Sequence, residues 1–161
     1  MNKMKIYLDT SVISHLKQDD APDKMRDTLM LWDEIIRGDY DVYISDVAIE
    51  EIMNASEPKR SIILNHLKEI NYNALVVDDE IETYARKLIE IGVLTAKSID
   101  DCRHIGAAVI NGCGMILSWN FSHIVRVKTI NGVKYVNSLL GYNEVGIYSP
   151  SMIVKRGDID G

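Results

Sequence analysis

The stretch Met4-Lys5-Ile6-Tyr7-Leu8-Asp9-Thr10-Ser11-Val12 decides the fold. Its first five residues read as a short buried strand. Asp, Thr and Ser then break the apolar run with side chains that cap helices well, and the residues from Val12 to Lys17 take up a helical pattern. A buried strand that hands over to a helix through an aspartate is one unit of an alternating α/β chain.

Outward from this stretch, the unit recurs. Asp19 to Asp23 is a polar loop. From Lys24 to Arg37 the apolar residues Met25, Leu29, Trp32, Ile35 and Ile36 keep helical spacing, and Gly38 stops them. Asp41 to Ile44 is a second strand, and Ser45 or Asp46 caps a helix to about Asn54. A helix begins at Pro58, with Ile62, Ile63, His66, Leu67 and Ile70 along one side. Ala74 to Val77 is a third strand, followed by a helix from Glu80 to Ile91 that Gly92 ends. Ser98 opens a helix to about Asn111, with Asp101 in the position of a capping-box acid. Gly112-Cys113-Gly114 breaks the chain before a strand at Met115-Ile116-Leu117, which ends at Ser118-Trp119-Asn120. Asn131-Gly132 is a hairpin signal by local rules, but Ile130, Val133, Val136, Leu139 and Leu140 also fit a helix, which is the reading favoured. Val145 to Tyr148 forms the last strand, closed by Pro150. Strands alternating with helices imply a mostly parallel sheet covered on both faces: an α/β three-layer sandwich, one domain over residues 1–154, with a polar, flexible tail at 155–161.

Composition agrees. The chain has 161 residues, 47% of them apolar and 26% charged, the profile of an ordinary globular domain. No apolar run approaches the ~20 residues of a membrane span, and the N-terminus shows no secretory leader, so the protein reads as cytoplasmic with no membrane partner. Cys102 and Cys113 are too few for a disulfide framework or zinc cluster and read as buried packing thiols. The formal net charge is −6, whereas proteins that hold nucleic acid by charge alone are usually basic. A nucleic-acid function here must rest on a local site in which bound cations reverse the field.

Ligands of parallel sheets bind at the carboxyl ends of the strands, and that rule selects Asp9, Asn120, the pair Glu50 and Glu51, and the pair Asp100 and Asp101. Each has a bland reading: Asp9 as a helix cap, the glutamates as a solvated face, and the aspartates as first-turn acids that suit the helix dipole. Periodicity does not choose within either pair. Gathered at one sheet edge, however, the carboxylates would repel and raise one another's pKa values unless a cation sat among them, and carboxylate oxygens suit Mg²⁺ or Mn²⁺. His15, His66, His104 and His123 are scattered without zinc-ligand spacing, and His104 reads as packed or partly exposed.

These residues resemble the four motifs of PIN domains. Ile6-Tyr7-Leu8-Asp9-Thr10-Ser11-Val12 resembles the first. Ser45-Asp46-Val47-Ala48-Ile49-Glu50-Glu51-Ile52 resembles the second, whose register selects Glu51. Asp101-Cys102-Arg103-His104-Ile105-Gly106-Ala107-Ala108 resembles the third and selects Asp101. Leu117-Ser118-Trp119-Asn120-Phe121 resembles the fourth. The likeness spans about residues 4–153, and in it the Asn131-Gly132 segment is helical. Ser11 replaces the commoner Asn, and Asn120 stands where many members carry Asp.

The resemblance implies a PIN-like fold and a Mg²⁺- or Mn²⁺-dependent endoribonuclease of the VapC toxin type, usually dimeric and silenced by a small antitoxin. Asp9, Glu51 and Asp101 would then bind one or two metal ions, with Asn120 a neutral oxygen ligand or water-positioning group. Thr10, Ser11 and Asp100 would play secondary parts. Lys3, Lys5, Arg103, Arg126 and Lys128 are candidate RNA-backbone contacts because they lie near the motifs in sequence. Two other readings remain: a non-catalytic PIN-fold module that binds RNA or protein, and a haloacid-dehalogenase-type phosphatase. The phosphatase would need a second aspartate where Ser11 stands.

Overall fold

A computed structural model describes residues 2–155. Five parallel strands form one sheet: β1 (Met4–Leu8), β2 (Tyr40–Ser45), β3 (Asn73–Leu75), β4 (Met115–Leu117) and β5 (Gly146–Tyr148), in the order β3-β2-β1-β4-β5. The helices are α1 (Thr10–Ser14), α2 (Pro22–Ile36), α3 (Asp46–Met53), α4 (Lys59–Leu67), α5 (Asp79–Ile91), α6 (Ile99–Ile110), α7 (Val127–Leu140) and α8 (Pro150–Ile153). The PIN-like three-layer α/β sandwich expected from the sequence is the fold observed. Among the described residues no helix is long and apolar enough to cross a membrane. Of the tail expected at 155–161, all but Lys155 lies outside the described residues.

Side chains alternate across a strand, and both faces of this sheet are buried. Ile6 and Leu8 pack with Val42, Ile44 and Leu117 into a core shared with α1 to α4, and Ile153 of α8 packs on the same side. Tyr7, Ile116 and Ile147 point the other way, into a second core with residues of α5, α6 and α7. A two-sided core explains why β1 is apolar at consecutive positions. Cys102 and Cys113 are buried within the second core, as expected.

Three local expectations need correction. Ser98 does not cap α6 through its side chain. A 3₁₀ turn, Ala96–Ser98, leads straight into the helix, so Asp101 is freed from a capping box. The third strand is shorter and starts earlier than 74–77, pairing Asn73–Leu75 with Tyr43–Ser45. The first helix starts earlier and ends sooner than Val12–Lys17, with Asp9 as its N-cap. The Asn131-Gly132 segment lies inside α7, as favoured, because Val133 and Val136 are buried against the second core.

β1 is central, with β2 on one side and β4 on the other. The connection after β1 leads to β2 and that after β4 to β5, in opposite directions, and in such sheets the ligand crevice lies beyond the carboxyl ends of these two strands. Asp9 follows β1 directly, and Ser118 and Asn120 follow β4.

Candidate active site

Asp9 is the best-fixed carboxylate of the crevice. It is 3% exposed and both of its oxygens are engaged. Oδ1 accepts from the Val12 amide at 3.1 Å and from Ser11 Oγ at 2.6 Å, and Oδ2 accepts from Ser118 Oγ. Ser11 Oγ in turn accepts the Trp119 amide at 2.8 Å, and Ser118 Oγ accepts the Asn120 amide at 2.9 Å. Two hydroxyls thus tie the turns after β1 and β4 to one buried carboxylate. Burying it is tolerable because every lone-pair direction used finds a donor.

His104, one turn after Asp101 on α6, is the hub that the sequence did not reveal. Its imidazole is 3% exposed. Nδ1 lies 2.6 Å from the Tyr7 hydroxyl, which is 2.8 Å from Ser45 Oγ. Nε2 lies 3.2 Å from Glu51 Oε1 and 3.3 Å from Thr10 Oγ1. A carboxylate only accepts, so Nε2 carries a proton toward Glu51. The assignment Ser45 to Tyr7 to His104 to Glu51, each donating to the next, satisfies every group. Burial pushes the imidazole pKa down, but the Glu51 hydrogen bond and the charges of Asp9, Glu51 and Asp101 outweigh it and hold His104 above its ordinary value. One ring therefore senses three carboxylates from three separate elements.

Asp101 looks into the same space. Burial is the main cause that raises its carboxyl pKa, and Asp9 and Glu51 add to it against the pull of His104 and His123. Asn120 approaches it with its amide nitrogen, 3.4 Å from Asp101 Oδ1. The Asn120 oxygen accepts the His123 amide at 2.9 Å, which fixes the orientation of the carboxamide. In this arrangement Asn120 turns its amide nitrogen, not its oxygen, toward Asp101. Asp100, whose side chain is 58% exposed, turns away and pairs with Arg103 at 2.7 Å.

The structure does not gather the five cations chosen by sequence proximity. Lys3 and Lys5 stand before and near the start of β1, at the far end of the sheet from Asp9. Lys5 lies 5.8 Å from the Tyr43 ring centre. Arg103 is committed to Glu82 at 2.6 Å and to Asp100. Arg126 donates to Thr129 Oγ1 at 3.1 Å at the start of α7, where Lys128 is exposed. For Lys3 and Lys5, nearness along the chain misleads because a strand carries its two ends to opposite edges of the sheet.

By chemistry the donor set suits a hard divalent cation. The carboxylates are oxygen donors, and burial, with smaller additions from Asp9 and Glu51, disfavours the charged form of Asp101, a cost that a cation would relieve. As they stand, no three His, Cys, Asp or Glu side chains among the described residues form a ready set of direct ligands. Asp9 is held by Ser11, Ser118 and Val12, and Glu51 leans on His104.

No protein-family profile matches the sequence, and no curated protein does. Solved structures share the fold. VapBC2 from Rickettsia felis, solved bound to a DNA fragment from its promoter, aligns over 91% of this chain and 98% of the matched chain, with a TM-score of 0.56 and 12% identity. VapC20 from Mycobacterium tuberculosis, a toxin that cleaves the Sarcin-Ricin loop, aligns over 87% and 98%, with a TM-score of 0.57 and 13% identity. The chain has the VapC-like PIN-domain fold from end to end of those structures.

Proposed function

We propose that the protein is a metal-dependent endoribonuclease that hydrolyses RNA phosphodiester bonds, and that it serves as the toxin of a toxin–antitoxin pair. The observation that carries this reading is the hydrogen-bonded site beyond the carboxyl ends of β1 and β4, where Asp9 is braced by Ser11 and Ser118, Glu51 meets His104, and Asn120 reaches Asp101. The fold likeness to VapC toxins supports it.

Asp9, Glu51 and Asp101 would hold Mg²⁺ or Mn²⁺, in part through water. Bound there, the ion would make a water acidic enough to act as a nucleophile and neutralise charge that develops on the scissile phosphate. The chain's own residues do the rest. Ser11 and Ser118 fix Asp9 in one rotamer. Glu51, whose side chain is 40% exposed, is held toward the pocket by its hydrogen bond with His104. Asn120 orients Asp101 by donating to it. Ser11, spent on bracing Asp9, leaves no second acid for phosphatase chemistry of the haloacid-dehalogenase kind. An antitoxin and a second copy of the chain are the protein partners that go with this reading.

The test is cleavage of a mixed panel of single-stranded and structured RNAs with Mn²⁺ or Mg²⁺. Loss of a partner one shell out from a metal commonly costs about 10- to 100-fold, so Asp9→Asn should cost more than about 100-fold. An Asp9→Asn protein that cleaves as well as the parent would remove Asp9 from the chemistry. A parent that binds metal yet cleaves no RNA would favour the non-catalytic module.

A further inference from the structure

Immediately beside the carboxylate pocket the chain exposes an aromatic side chain under a cation. Asn120 reaches Asp101, and the residues on either side of it form an aromatic pair. Trp119 and Phe121 meet edge to face, with ring centres 6.2 Å apart at 69°. Trp119 is anchored: its indole N–H donates to Thr28 Oγ1 at 2.9 Å, and His15 packs on it with ring centres 5.9 Å apart. Phe121 keeps 45% of its surface in solvent. Lys24 Nζ, from α2, lies 5.4 Å from the Phe121 ring centre and 5.7 Å from that of Trp119. The described residues give Lys24 no ion-pair partner. His15, packed on Trp119, has Lys24 and Lys59 as neighbouring positive charges and Asp9 as a negative one, so cations reach this flank although the whole chain is acidic.

We propose that Phe121, braced by Trp119, and Lys24 form a subsite for one unpaired RNA nucleotide. The base stacks on Phe121 and the adjoining phosphate meets Lys24, which sets the next phosphodiester at the carboxylates. This rests on the ribonuclease reading and narrows its substrate to unpaired RNA. A base within a duplex cannot offer its face to a side chain, whereas a splayed-out base can. Aromatic stacking together with a nearby cation is the usual means of holding single strands. The subsite also answers the charge objection, because the phosphate meets a cation before it meets the carboxylates.

The experiment is binding of a fluorescein-labelled single-stranded oligouridylate in EDTA, followed by anisotropy, beside binding of a blunt RNA duplex. Phe121→Leu keeps an apolar contact for Trp119 but removes the π face, and it should weaken single-strand binding roughly 5- to 100-fold while duplex binding stays unchanged. Phe121→Tyr should restore it. Lys24→Gln should reduce the slope of log affinity against log salt by about 0.7. In the Mn²⁺ cleavage assay, Phe121→Leu should raise KM and leave kcat nearly unchanged. Equal binding by Phe121→Leu and the parent overturns the subsite, as does equal loss against the duplex or a parent that binds no oligouridylate. If those results accompany normal RNA cleavage by the parent, the subsite alone falls. Binding that depends on Phe121, with no cleavage of any RNA, supports the subsite and removes the ribonuclease reading.

Discussion

Replacing Asp9 by Asn separates two properties of one side chain. Its oxygen caps α1 by accepting the Val12 amide, and its charge contributes to the pocket. Asn caps a helix about as well as Asp, so Asp9→Asn should melt within a few degrees of the parent while it loses cleavage; circular dichroism and the RNA assay on the same preparation check both. The sequence made Asp9 and the pair Asp100 and Asp101 visible because acids after strands and in first turns stand out, and the PIN-motif resemblance chose Asp101 of the pair. It left the part His104 plays hidden, because its partners Tyr7, Thr10 and Glu51 are distant along the chain and meet it only once the sheet forms. Its signals were its place in the third motif and its position three residues after Asp101, on the same helix face.

His15 gives a pH test at the same scale. Burial, then the charges of Lys24 and Lys59, lower its pKa from the 6.5 of an ordinary imidazole, against the Ser11 carbonyl. Below 6.5 the unfolded chain takes up a proton that the native imidazole refuses. The stability tied to this group is therefore full above that pH and declines as pH falls toward the native value. Proton NMR should find the His15 midpoint below 6.5, and His15→Gln should flatten the stability profile in that window; an unshifted midpoint would contradict the burial argument. The thiols behave similarly: burial pushes Cys102 and Cys113 up to about 12. Ellman's reagent should label neither thiol in native protein at mildly alkaline pH and both in denaturant.

Among the elements, α7 shows where local rules and packing part company. Asn131-Gly132 signals a turn, but the helix runs through it. A Cβ built on Gly132 would stand 2.6 and 2.8 Å from the two methyls of Val93 and 3.2 Å from its Cβ. Alanine normally gains about 1 kcal/mol over glycine inside a helix. Forcing a methyl against a buried, stiff valine costs about 1–3 kcal/mol, so packing should win. Gly132→Ala should lower Tm by a few degrees in a thermal melt; a rise would show that α7 can shift away from Val93. The glycines at helix ends were legible for a simpler reason. Gly38 and Gly92 have φ of +95° and +91°, a region that other residues enter at a cost.

On the scale of the molecule, element order was readable because each amphipathic segment declares its own periodicity. The sheet order β3-β2-β1-β4-β5 then follows the rules of parallel α/β folds, and it carries Asp9, Glu51 and Asp101 to one edge. Which cations share that edge could not be read. Lys3 and Lys5 sit near the motifs in sequence and at the wrong end of β1, while Lys24 arrives from α2 far from any motif. Charge distribution is a property of the folded surface, and the net value of −6 conceals Lys24 over the Trp119 and Phe121 rings.

The central claim is that carboxylates from three elements share one hard cation. Anomalous-difference maps from crystals soaked in Mn²⁺ test it most directly. A single strong peak bordered by Asp9, Glu51 and Asp101, and absent in Asp101→Asn crystals, is the expected result. Mn²⁺ bound only elsewhere, or a peak that persists undiminished in Asp101→Asn, would contradict it.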